Sequence, residues 1–126
     1  MTVFNEPRHD EGFLISEEEF GRSRDTITLK AGSAYQPGSV LIPEISGGNP
    51  TGLHILATNA LVDATPTAGL VILARFKDAT AANTKGAAIV GDAQVKDTEL
   101  VFGAATVLAD LKPGLALNRI VVRQAI

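Results

Sequence analysis

The chain has 126 residues, 45% of them apolar, a formal net charge of −3 and no cysteine. That is the length of one domain, able to bury a core without disulfides or metal, and the missing cysteines exclude disulfide scaffolds, zinc–cysteine sites and cysteine nucleophiles. No apolar run approaches the roughly 18 residues of a membrane-spanning helix, and no basic stripe is present to neutralise phosphates, so neither a membrane nor nucleic acid is an expected partner.

The charge is unevenly distributed. Residues 1–25 hold seven acids (Glu6, Asp10, Glu11, Glu17, Glu18, Glu19, Asp25) against three bases (Arg8, Arg22, Arg24), so the negative charge lies in this opening segment. No basic region followed by an apolar stretch is found there, and no secretory leader is expected. The segment is broken by Pro7, Gly12 and Gly21 yet carries Phe4, Phe13, Leu14, Ile15 and Phe20. A merely solvated tail has no need of such side chains, whereas a segment that orders against a partner does. Ser16 and Glu19 fit a capping box and predict a short helical turn over residues 17–20. The organisation expected is an extended N-terminal arm, 1–24, attached to a compact domain, 25–126.

From Thr26 the pattern turns to β. Ile27 and Leu29 alternate with threonines in a half-buried strand. Residues 31–33 and Gln36-Pro37-Gly38 are turn chemistry around it. A strand over residues 39–45 contains Pro43, which cannot donate to a ladder and marks an edge or an early end. Residues 46–50 read as a loop, and Leu53 and Ile55 flank His54 in a short strand. Residues 58–67 read as loop. Residues 70–74 form the most apolar run and predict a strand covered on both faces. A small-residue loop follows over 78–84, then a strand over 87–95 and, after a hairpin turn at 96–98, another over 99–102. Residues 104–112 are the one good helix candidate, with Val107, Leu108 and Leu111 at helical spacing, which Pro113-Gly114 should end or kink. Residues 119–123 close the chain as a strand, with Ile120 and Val122 on one face and Val121 on the other. Short strands, tight loops and one late helix define a mainly β fold, a small barrel or sandwich.

Groups for chemistry are sparse. His9 lies beside Asp10 and Glu11 in the arm, where mobile ligands seldom close a metal site. His54 points opposite its apolar neighbours, the setting of a surface or interface residue. As a base it would need a nearby serine or threonine, and no G-x-S-x-G signature is present. Asp63, Asp78, Asp92 and Asp97 fall in or beside predicted turns, where aspartate bonds backbone amides. Gly86 and Gly91 have P-loop spacing but lead into Asp92, not lysine. Tyr35 is the single tyrosine and tryptophan is absent, so no stacking platform for bases can be built. No catalytic, cofactor-binding or metal-binding residue is assigned, and a binding or structural role leads. Two rivals stand beside it. A biotinyl/lipoyl-type carrier barrel would present a lysine at a hairpin tip, for which Lys85 and Lys96 are poor matches. A small hydrolase would use His54 with a carboxylate.

Asn5-Glu6-Pro7-Arg8-His9 followed by Gly12-Phe13-Leu14-Ile15-Ser16-Glu17 resembles the N-terminal signature of tailed-phage head decoration proteins of the lambda gpD-like family. Arg24-Asp25-Thr26-Ile27-Thr28-Leu29, Pro37-Gly38-Ser39-Val40-Leu41 and Ile120-Val121-Val122-Arg123 resemble the same family. Members often carry a glycine directly before the last strand, where this chain has Asn118-Arg119. The resemblance implies a β-tulip domain with one short helix, assembled as a homotrimer on the outer surface of the expanded capsid and cementing neighbouring major capsid proteins. It further implies that the arm adds a strand to a capsid-protein sheet. The arm residues matching that role are Phe4, Gly12, Phe13, Leu14, Ile15 and Ser16, with Phe13 and Ile15 expected on one face as anchors and Leu14 on the other. On that reading Phe13→Asp abolishes decoration and leaves melting unchanged.

Overall fold

A computed structural model describes residues 13–17, 24–65, 68–103 and 106–124. Its elements run β1 (Leu14–Glu17), β2 (Arg24–Leu29), β3 (Ala34–Tyr35), β4 (Val40–Ser46), β5 (Asn49–Leu56), α1 (Asn59–Ala64), β6 (Val71–Leu73), β7 (Lys77–Asp78), β8 (Thr84–Ile89), β9 (Ala93–Lys96), α2 (Leu108–Leu117) and β10 (Ile120–Arg123). The fold is mainly β. Five strands close a barrel in the order β2-β5-β4-β6-β8, a second sheet runs β1-β9-β10, and β3 pairs with β7.

The strongest sequence patterns become the barrel. Ile27 and Leu29 of β2 are buried, as alternation requires, and Val71, Ile72 and Leu73 of β6 are buried on both faces. Two clusters explain the double burial. Ile27, Leu29, Leu41, Val71, Leu73 and Ala88 all come from barrel strands and fill its interior. Their neighbours in sequence Val40, Ile42, Leu70, Ile72 and Ile89 join a larger cluster outside the barrel wall. Phe13, Val95, Leu111, Leu115 and Ile120 complete that outer cluster. The second sheet and α2 therefore cover one side of the barrel.

Local chemistry accounts for several departures from expectation. Residues 46–50 are no open loop: Ser46 pairs with Asn49 across a two-residue turn, whose Gly47 and Gly48 both have positive φ, the conformation a tight hairpin demands. Pro43 does lie within β4, at an edge, because β6 pairs only with Val40 and Leu41. Residues 59–64 form α1 in place of the expected loop; Thr58 Oγ1 accepts from the Leu61 N–H (3.3 Å) as N-cap. The predicted strand 87–95 is two strands, β8 and β9, broken by Asp92 at φ 50. The hairpin expected around 96–102 is a 3₁₀ turn over Asp97–Glu99 leading to a single parallel bridge from Val101 to Ser39.

The helix lies later than predicted. Residues 104–105 are outside the described set, Val107 is exposed as the N-cap of α2, and Pro113 sits inside the helix. Leu111 and Leu115, one turn apart on either side of the proline, are both fully buried. The Leu70 N–H also donates to the Gly114 carbonyl (3.1 Å). Packing thus holds both halves in place and outweighs the proline's local cost. In β10, Ile120 is buried, Val122 packs against the core and Val121 is exposed, as the alternation predicted.

Candidate interaction surface

The arm's apolar triplet enters the structure at the edge of the second sheet. β1 pairs antiparallel with β9, Leu14 opposite Val95 and Ser16 opposite Gln94. Two steps along β1 match one along β9, so Ile15 is the extra residue of a β-bulge. The bulge breaks the alternation that put Phe13 and Ile15 on one face. Phe13 is buried in the chain's own core, Leu14 packs partly against that core, and Ile15 is 47% exposed. The Phe13 carbonyl accepts from the Lys96 N–H (2.8 Å), extending the pairing by one residue. Two expectations are thereby corrected: Phe13 is not paired with Ile15 as a surface anchor, and its replacement by aspartate cannot leave stability unchanged. Ser16 and Glu17 are strand residues, not the start of a helical turn; residues 18–20 lie outside the described set. Phe4, Gly12 and the His9-Asp10-Glu11 cluster lie outside it too.

Among the described residues β1 is a sheet edge, with β9 on one side only. Other exposed apolar side chains are Ile45, Phe76, Val107, Leu117 and Val121. Val121 lies across Gln94 from Ser16, on the sheet face away from the core. The sequence pattern sets Val121 opposite Ile120 and Val122 but gives β10 no role.

The polar groups are tied up in structure. Lys30 Nζ and Glu44 Oε2 form an ion pair at 2.5 Å, which lowers the Glu44 carboxyl from its ordinary pKa. Tyr35 donates its hydroxyl proton to the Lys30 carbonyl (3.0 Å). Lys30 and Tyr35 help line a concavity of about 300 Å³ in which Ser39 also spends its hydroxyl on a backbone carbonyl. Among the described residues no three His, Asp or Glu side chains form a group able to hold a metal ion. Lys85 lies inside β8, opposite Thr28, and Lys96 ends β9, so neither occupies the hairpin tip a carrier barrel requires.

His54 sits opposite both Pro43 and Leu29. Its Nδ1 is buried without a hydrogen-bond partner, and burial lowers the ring's pKa below the ordinary 6.5. Well above that pH the ring is neutral in folded and unfolded chain alike and adds no pH dependence. As pH falls through and below 6.5, the unfolded chain takes up a proton that the folded chain resists, and stability drops. The wild-type melting temperature is therefore expected to fall over this window, and His54→Leu to flatten the slope there. Calorimetry across the pH series checks it; equal slopes in the two proteins would refute the assignment.

What the described surface offers a partner is open strand edge and aliphatic side chains, the equipment of a binding or structural module. The model of the family described as bacteriophage lambda head decoration protein D matches residues 3–113, and the chain belongs to that family. It is a phage head decoration protein, associated with the capsid of the virion. No curated protein and no solved structure matches the chain. The matched stretch takes in β1 and the whole barrel and stops inside α2. No helix among the described residues is long and apolar enough to cross a membrane.

Proposed function

We propose that the protein is a non-enzymatic cement. A homotrimer seats on the outer surface of the expanded capsid at three-fold and quasi-three-fold positions and holds neighbouring major capsid proteins against the pressure of packaged DNA. The chain meets its capsid after synthesis in the host cytoplasm. The observation that carries the reading is the family match, which begins at residue 3 and so includes the arm. The arm, residues 1–24, binds capsid protein by adding a strand: main-chain hydrogen bonds give affinity and alternate side chains give specificity. β1, within that segment, is an edge strand among the described residues and has Ile15 exposed, which supports this reading. Phe4, Gly12, Leu14, Ile15 and Ser16 act at the contact, while Phe13 fixes the arm's root.

Ordering a free arm costs roughly 1–2 kcal/mol per residue, so a single arm is a weak tether. Three arms on one trimer raise the effective concentration of each and make the assembly hold. The acids around the apolar residues keep the unbound arm soluble.

Removing residues 2–12, which leaves Phe13 and β1 in place, is expected to spare the melting temperature and the trimer seen by light scattering. Binding to capsids stripped of decoration protein should fall at least about tenfold, and Ile15→Asp should weaken it in the same direction. Undiminished capsid binding by the truncated chain would rule out the arm's role. A monomer by light scattering would rule out the three-arm clamp.

A further inference from the structure

Among the described residues the β1-β9-β10 sheet has a second edge, that of β10. The Arg119 carbonyl accepts from the Ala93 N–H (3.3 Å). Alternation along β10 then turns the backbone groups of Val121 and Arg123 toward β9, and those of Ile120 and Val122 away from it. The outward edge borders a groove of about 390 Å³ lined by Lys112 and Ala116 of α2 and by Arg119, Ile120, Val121 and Val122. Its lining is mostly aliphatic, and its two charged residues, Lys112 and Arg119, are cations, Arg119 already sharing its charge with Asp92. A groove between a helix and a free strand edge suits an extended segment, which bonds its main chain to the edge and drops alternate side chains into the groove.

Among the described residues, the two non-glycine residues with positive φ lie beside this groove. Arg119 has φ 58, a region that costs most residues with a Cβ about 1–2 kcal/mol, and Asp92, whose short side chain tolerates it, has φ 50. The two are locked together, Arg119 Nε to Asp92 Oδ1 at 2.5 Å and Nη2 to Oδ2 at 3.0 Å. Behind them the Asp92 N–H donates to the Asn118 carbonyl (3.2 Å) and Asn118 Nδ2 to the Leu70 carbonyl (2.8 Å). Only one edge of the guanidinium is spent on Asp92, and the Arg119 side chain is 72% exposed. The strain holds a braced cation at the mouth of an apolar groove.

We propose that this groove receives an extended, carboxylate-bearing segment of the capsid shell, which pairs with β10 and sets its carboxylate against Lys112 and Arg119. The proposal rests on the capsid-binding reading above. The partner's chemistry follows from the groove: the edge requires an extended main chain, the floor a small aliphatic side chain, and the rim an acid. The location follows from the sheet. β10 lies two strand spacings, about 10 Å, from β1, so a capsid engaged at one edge is within reach of the other.

The test is titration of capsids stripped of decoration protein at low and raised salt, with melting followed for every variant. Arg119→Gly removes the guanidinium and suits the left-handed backbone. Lys112→Glu reverses the other cation. Val122→Pro removes an N–H that faces away from β9 and leaves the ladder to β9 intact. The two charge variants are each expected to bind about tenfold more weakly, with a shallower salt dependence. Val122→Pro should show a similar loss at unchanged salt dependence. Wild-type affinity and salt dependence in both charge variants would overturn the proposal while leaving capsid binding itself standing. Failure of the wild-type protein to bind would instead remove the reading beneath it. If the Arg119→Gly loss disappears in chains lacking residues 2–12, the groove serves a neighbouring copy's arm, and the capsid segment is wrong.

Discussion

A Phe13→Ala chain is expected to melt roughly 10–20 °C below the parent protein at equal protomer concentration. Phe13 is 1% exposed and belongs to the outer core with Val95, Leu100, Leu111 and Ile120. Truncating a buried phenylalanine removes its transfer free energy and leaves a cavity, together about 3–5 kcal/mol. The loss falls where it does most harm, because Phe13 also fastens β1 to the sheet. Aspartate at the same place would bury a carboxylate with no partner, and should prevent stable folding. Thermal unfolding by calorimetry reads both variants. A melting temperature for Phe13→Ala within about 3 °C of the parent would mean that Phe13 does not sit in the core in solution. The result also governs how arm variants are interpreted, since lost capsid binding on changing Phe13 reports a damaged domain before it reports a lost contact.

Gly38→Ala should cost about 3 kcal/mol, or roughly 10 °C. Gly38 has φ +86, and a Cβ there would collide with the Glu99 carbonyl and meet the Phe13 ring at 3.5 Å. The backbone cannot move aside. The Gly38 N–H donates to the Leu73 carbonyl and the Gly38 carbonyl accepts from the Val101 N–H, both at 2.9 Å. One residue thus ties the barrel, the segment after β9 and the root of the arm. Gly32→Ala is the matched control: φ is +111, but a Cβ would find nothing within 4 Å. It should show only the conformational part, about 1–2 kcal/mol. Equal melting temperatures for the two variants would show that the Glu99 clash is relieved by relaxation.

Much of this fold is written in the local pattern. Ile27 and Leu29 alternate because one face of β2 is buried, and residues 70–74 lack alternation because the barrel wall there is buried on both sides. The Pro37-Gly38 turn and the opposed faces of β10 are legible for the same reason. What cannot be read depends on distant contacts. Residues 87–95 look like one strand because their apolar residues run on past Gly91-Asp92; the pair is turn chemistry, but the ion pair that fixes Asp92 there comes from Arg119, 27 residues further on. Pro113 reads as a helix stop until Leu111 and Leu115 are seen gripping the core on either side. α1 has its signal in Thr58, a good N-cap, but a helix this short with no buried residue leaves no periodicity to find. The fate of the arm triplet turns on the bulge at Ile15, because one inserted residue exchanges surface for interior. The β10 groove needs α2 brought beside the last strand.

The pairing of β1 with β9 has a mechanical consequence. β1 runs antiparallel to β9, and a pull applied at Phe13 along the axis of β1 would load that pairing in shear. The Phe13–Lys96 bond and the bonds behind it then bear the load together, in shear, whereas a pull across the strands would open them one at a time. Phe13, seated in the core ahead of the strand, acts as a stop that must be drawn through packed side chains before β1 can slide. On the proposed tethering, a load entering at Phe13 would pass into the protein's own core before β1 could slip past β9.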